Sequence, residues 1–134
     1  MAWSTVLLLP LGSTEAHGPH APLSTDATLS LEVCLISAEK MARRNHRAFV
    51  LPPLSYAVTE CASQFPGTIS ISPEVDTRLI SDICLSLVGG GFKKIARRPD
   101  RAVRQSQSVR RPNHLRAGDL AGWGQHPRRR AHRV

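Results

Sequence analysis

An apolar run, Val6-Leu7-Leu8-Leu9, is closed by Pro10 and opens at once into a loop crowded with Gly, Pro and ionisable side chains. The run is too short to cross a membrane as a helix, and no charged segment of a secretion signal precedes it. It reads as a buried strand over residues 4–10. The loop that leaves it, LGSTEAHGPHAPLSTD from Leu11 to Asp26, carries Glu15, His17, His20 and Asp26. The exit of a buried strand is where α/β proteins usually keep their chemistry.

The rest of the chain alternates between the two periodicities. Over residues 26–45 the apolar positions Leu29, Val33, Ile36 and Met41 recur at helical steps, with Glu32, Glu39, Lys40 and Arg43 between them. Thr25 or Asp26 is expected to cap that helix, and Arg43, Arg44 and Arg47 suit its negative end. Residues 48–51 form a second short strand, stopped by Pro52-Pro53. A loop over 55–67 contains Phe65-Pro66-Gly67, and residues 68–71 alternate like a strand. Ser72-Pro73-Glu74 combines a capping hydroxyl, a proline at the first helical position and an early acid, so a helix runs from there to about Val88. Gly89-Gly90-Gly91 stops it, and residues 92–95 begin another strand. The Leu and Met positions of both helices are expected in the core. The order β–loop–α–β–loop–β–α–β argues for a mainly parallel sheet covered by helices, and 134 residues is a length for one domain.

Charge divides the chain sharply. Residues 1–95 carry seven Lys/Arg against eight Asp/Glu, a net of −1, whereas residues 96–134 carry eleven Arg against two Asp, a net of +9. The overall +8 therefore belongs to a tail. After Ile95 a buried strand should continue in Val, Ile or Leu, yet Ala96-Arg97-Arg98-Pro99-Asp100 follows. The strand is expected to break off there. An Arg-rich, Lys-free stretch without apolar periodicity cannot bury enough surface to order itself, so 96–134 is expected to be disordered. Such a switch is what an out-of-frame reading of GC-rich DNA produces, and a frameshift near Ile95 is the expectation it raises. Eleven arginines can neutralise phosphates, but the tail holds one aromatic, Trp123, and no RGG repeat or helical stripe. Nucleic acid is accordingly not the expected partner, and a subunit-interaction fragment is a further alternative. Cys34, Cys61 and Cys84 form no CxxC pair, so neither a zinc knuckle nor a thioredoxin motif is indicated. Cys34 and Cys84 read as small buried hydrophobes and Cys61 as a half-buried thiol. No membrane span and a reduced, cytoplasmic setting are the default.

In an extended segment Glu15 and His17, two residues apart, fall on one side of the chain. Asp26 lies where the loop returns to start a helix, and a carboxylate there can bridge two ions. Two hard divalent ions about 3.5–4 Å apart activate water and polarise a carbonyl. Carboxylate and imidazole donors suit Zn or Mn. Taken singly, Glu15 and His17 also read as loop polars and Asp26 as a helix cap; the tight Gly12, Gly18, Pro19 and Pro22 framework favours the functional reading.

Three segments in order then resemble the creatininase (creatinine amidohydrolase) family over roughly residues 5–95. LPLGSTEAHGPHAPLSTD is similar to the family's long opening signature, FPGTISIS to its second, and SLVGGGFKKI to the helix end and strand that lead into its third. The resemblance implies a three-layer α/β/α fold around a mainly parallel sheet, here C-terminally incomplete, with a partial domain over 1–95. It implies a metal-dependent hydrolase of amide or cyclic-amide C–N bonds, acting on a small-molecule substrate with two divalent ions, Zn or Mn, and assembling as a homo-oligomer. By matching position, Glu15 would ligate one ion, His17 the other, and Asp26 would bridge them. His20 is read as a loop-shaping residue behind the ligands, and Glu60, near Tyr56, as part of a loop that approaches metals or substrate. No side chain is assigned a catalytic role beyond ligation. The sequence departs from the family where a further His and Glu should follow the strand beginning at Phe92; His114, His126 and His132 lie in the tail without matching context. Ala62 stands where relatives commonly carry a His, and Ala16 replaces a common Gln. Weak or single-site metal binding and little catalysis are expected.

Overall fold

The computed structural model describes residues 5–99 and 114–116. The apolar run becomes β1 (Val6–Leu11), the central parallel strand of a four-stranded sheet. After it come α1 (Thr25–Ala42), β2 (Ala48–Val50), a 3-10 turn (Glu60–Ala62), α2 (Pro73–Gly89), β3 (Lys94–Pro99) and β4 (His114–Arg116). The strand order is β2-β1-β3-β4. β2 and β3 flank β1 in parallel, with Leu7 opposite both Phe49 and Ile95. β4 is antiparallel to β3, with Leu115 opposite Ile95. This is the mainly parallel α/β arrangement expected from the order of elements.

Topology decides where the helices go. The β1–α1–β2 crossover steps to one side of β1 and the β2–α2–β3 crossover steps back past it to the other. Right-handed connections that run in opposite directions put their helices on opposite faces of the sheet. β1 is correspondingly apolar on both faces. Leu7, Leu9 and Leu11 cluster with Ile95 and with Ile80 and Cys84 of α2, while Leu8 and Pro10 are buried on the other side. Pro10 sits in a central strand at no cost to the ladder. Its carbonyl accepts from the Leu54 N–H, and β2 on that side has already ended at Val50, so the N–H that proline lacks would have met no strand partner.

The buried stripes of both helices differ from the expected ones. α1 buries Asp26, Ala27, Ser30 and Cys34, whereas Leu29 and Ile36 are 57% and 48% exposed. Small side chains on the inner face bring α1 close enough for the Ser30 hydroxyl to accept from the Leu11 N–H at 3.0 Å. α2 likewise turns Asp76, Ile80 and Cys84 inward and leaves Val75, Leu79 and Leu85 in contact with water. The periodicity was helical, but several of the larger apolar residues lie on the outer face, while Ile80, Ile83, Leu87 and Val88 of α2 pack against the core.

Other boundaries shift for local reasons. Ser24, not Thr25 or Asp26, is the N-cap of α1, and the Thr25 hydroxyl donates back to the Pro22 carbonyl. Ser72 caps α2 as expected, its hydroxyl accepting from the Val75 N–H. Residues 68–71 make no strand; Ile69 and Ser70 form isolated bridges to Thr14 and Ala57, because their neighbours are loops and not a ladder. β3 does not break off at Ile95: it runs on to Pro99 beside the whole of β1. The ladder to β1 is a backbone property, so Arg97 and Arg98 can extend it where an apolar pattern would have stopped. The expected disorder of 96–134 and the histidines His126 and His132 lie outside the described residues, apart from the end of β3 and β4. No helix among the described residues is long and apolar enough to cross a membrane.

The cysteines give a direct check on packing. Cys34 and Cys84 are buried and Cys61 is exposed, not half-buried. Burial pushes the Cys84 thiol above its ordinary pKa, more than the Arg97 charge lowers it. Alkylation of the native chain at neutral pH, followed by mass spectrometry, should modify Cys61 first and leave Cys34 and Cys84 until the fold opens.

Candidate metal centre

The loop after β1 is clamped from two directions. Gly12 crosses the first turn of α1 so closely that a Cβ there would lie 2.4 Å from the Ala27 nitrogen. On the other side the Ile69 N–H donates to the Thr14 carbonyl at 2.9 Å. The Thr14 hydroxyl donates to the Ser55 carbonyl at 2.7 Å, and the Ala16 N–H donates to the Thr68 hydroxyl at 3.1 Å. Gly18 and Gly67 supply left-handed corners at φ +79° and +90°. The FPGT segment thus acts as a brace for the first loop.

This clamping brings Glu15, His17 and Asp26 together, with one potential ligand atom from each all within 4.8 Å of one another. Among the described residues no other group of three such side chains converges. The Nε2 atom of His17 lies 3.0 Å from Oδ1 of Asp26 and 4.0 Å from Oε1 of Glu15. Both carboxylates are buried, and the imidazole, 28% exposed, forms the side that faces water.

The tautomer follows from the hydrogen bonds. Nδ1 of His17 lies 3.1 Å from the Glu15 carbonyl, which can only accept, so Nδ1 carries the hydrogen and the neutral ring offers its Nε2 lone pair to the cluster. The Glu15 carbonyl is the main cause of a raised His17 pKa; burial opposes it, and the Asp26 and Glu15 charges reinforce it. The position between Nε2 and the two carboxylates therefore favours positive charge, either a proton on the ring or a cation in its place. Two carboxylate oxygens and one imidazole nitrogen suit a divalent ion of the Zn or Mn kind.

Two hydroxyls complete the arrangement behind the carboxylates. Ser13, fully buried, places Oγ 2.9 Å from Oε2 of Glu15 and 2.7 Å from Oδ2 of Asp26. Thr59, 1% exposed, donates its hydroxyl to the same Oε2, and its own N–H donates to the Ser70 hydroxyl. Residues 13, 15 and 17 share one side of an extended segment, so the period that paired Glu15 with His17 also pointed to Ser13. Nothing in the sequence singled out Thr59, which arrives from a loop 44 positions on from Glu15. His20 and Glu60 stand outside the cluster: both are exposed, His20 with its ring against Gly18 and Glu60 at the start of the 3-10 turn. Tyr56 is 51% exposed.

A mainly parallel α/β sheet with a carboxylate–imidazole cluster at the exit of its central strand is a layout that can hold a divalent ion. Residues 2–97 match the profile of the creatininase family, described as creatinine amidohydrolase, and the chain belongs to that family. It is 42% identical over 67 residues to the mycofactocin precursor peptide peptidase of Mycolicibacterium smegmatis, covering 49% of this chain and 27% of that protein. To the creatinine amidohydrolase of Pseudomonas putida it is 31% identical over 99 residues, covering 70% of this chain and 36% of the relative. A solved creatinine amidohydrolase (creatininase) superposes with a TM-score of 0.64 at 31% identity, covering 70% of this chain and 36% of that one. The chain thus spans about a third of the length of the relatives it matches. The creatininase structures sharing its fold include a manganese form and a Zn–Zn form.

Proposed function

We propose that this chain carries the opening half of a creatininase-type metal centre, with Glu15, His17 and Asp26 as ligands for a divalent ion, Zn or Mn. The observation that supports it most is the convergence of one donor atom from each of the three within 4.8 Å at the exit of β1. The ion would supply Lewis-acid activation of water and of an amide carbonyl. The chain's own residues do the rest. Gly12 lets the loop meet α1, the Glu15 carbonyl fixes the His17 tautomer, and the buried carboxylates hold negative charge where the ion would sit. The reaction class is hydrolysis of an amide or cyclic-amide C–N bond in a small molecule, within a homo-oligomer of cytoplasmic setting.

Three protein ligands are a thin set for two ions, and the same reading gives this chain one ion and impaired catalysis. Equilibrium dialysis against Mn²⁺ or Zn²⁺ with elemental analysis should find about one equivalent per chain, and amide hydrolysis should be slight. Two equivalents, with hydrolysis abolished by a chelator, would overturn the single-ion reading. No uptake at all would overturn ligation itself.

A further inference from the structure

Each carboxylate of the cluster has two oxygens, and the fold treats them differently. Oε1 of Glu15 and Oδ1 of Asp26 face the His17 imidazole. Oε2 and Oδ2 face a pair of buried hydroxyls: Ser13 reaches both, and Thr59 donates to Oε2. Ser13 is completely buried and Thr59 almost so, so water does not compete for either hydroxyl. The two residues come from separate loops, one leading out of β1 and one leading into the 3-10 turn.

We propose that Ser13, seconded by Thr59, is the positioning residue of this centre. By taking up one oxygen of each carboxylate, the hydroxyls turn the other oxygen toward His17 and set a site for one ion. This rests on the three-ligand reading above and adds to it what holds the two carboxylates in place. One hydroxyl carries one hydrogen, so Ser13 draws the two carboxylates around a single donor and ties the orientation of each to the other. Partners behind the ligands commonly fix ligand orientation and carry a good part of the affinity.

The test is Mn²⁺ titration calorimetry on the full chain and on Ser13→Ala, Thr59→Val and Thr59→Ser, with the urea midpoint of each measured in chelator. Ser13→Ala and Thr59→Val should each weaken binding by about 10–100-fold. Thr59→Ser, which keeps the hydroxyl, should bind like the wild type. The double variant Ser13→Ala/Thr59→Val should lose less than the sum of the two, because both hydroxyls hold one oxygen. Should Ser13→Ala fail to fold, the Val and Ser replacements at Thr59 decide the matter alone. Wild-type affinity in Ser13→Ala or Thr59→Val, or an equal loss in Thr59→Ser and Thr59→Val, overturns the proposal while leaving the ligands standing. A wild-type chain that takes up no ion overturns both.

Discussion

Gly12→Ala should destabilise the chain by roughly 3 kcal/mol, the upper end of what overpacking a filled site costs, and should abolish ion uptake with it. The added Cβ would meet backbone only: the nitrogen and Cα of Ala27 at 2.4 and 2.5 Å and the carbonyl carbon of Asp26 at 2.7 Å. No side chain can swing aside to relieve it. Either the loop lifts from β1 or the first turn of α1 retreats, and both movements carry Asp26 away from Glu15. Urea denaturation in chelator gives the stability loss, and a titration in mild conditions gives the binding loss. A variant that folds with wild-type stability would show that the loop has slack the packing does not reveal.

Asp26→Asn should have the opposite signature, a large loss of binding at nearly constant stability. The amide keeps the shape of the carboxylate but removes the charge beside His17, and a ligand lost outright should cost about 100-fold or more, beyond the usual effect of an outer partner. In the metal-free chain two losses are set against one gain. The N-terminal end of α1 loses a favourable negative charge worth about 0.3–1 kcal/mol and His17 loses its carboxylate partner at 3.0 Å, while repulsion with the Glu15 carboxylate across Ser13 is relieved. Thermal unfolding in chelator should therefore barely move while ion affinity collapses. Unchanged affinity would remove Asp26 from the ligand set.

Much of this was readable from the residues. The unbroken apolar run of β1, the Ser72-Pro73-Glu74 helix start and the triple glycine after α2 each have a local cause, and each falls where expected. So does the proximity of Glu15 to His17, which needs only an extended chain. What was not readable depended on packing against something distant. The inner stripe of α1 is Ala27, Ser30 and Cys34, residues too small to announce a core; they are inside because β1 lies close, which no helical periodicity records. β3 continues through Arg97 and Arg98 because its partner is the backbone of β1, and backbone pairing is blind to the side chains that composition counts. Thr59 joined the site because the brace formed by residues 68–70 carries its loop there, a relation between segments and not a pattern within one.

The three ligand candidates lie between positions 15 and 26, two in the loop that leaves β1 and one in the opening turn of the helix that follows. A divalent ion seated there would act as a clasp on the junction between β1 and α1, the first unit of the sheet. Anything that binds only the folded form shifts unfolding by mass action, roughly 2.7 kcal/mol at a free concentration one hundred times the dissociation constant. The robustness of this fold would then be set partly by the cell's supply of the metal, which makes nutrient status a determinant of how long the chain survives.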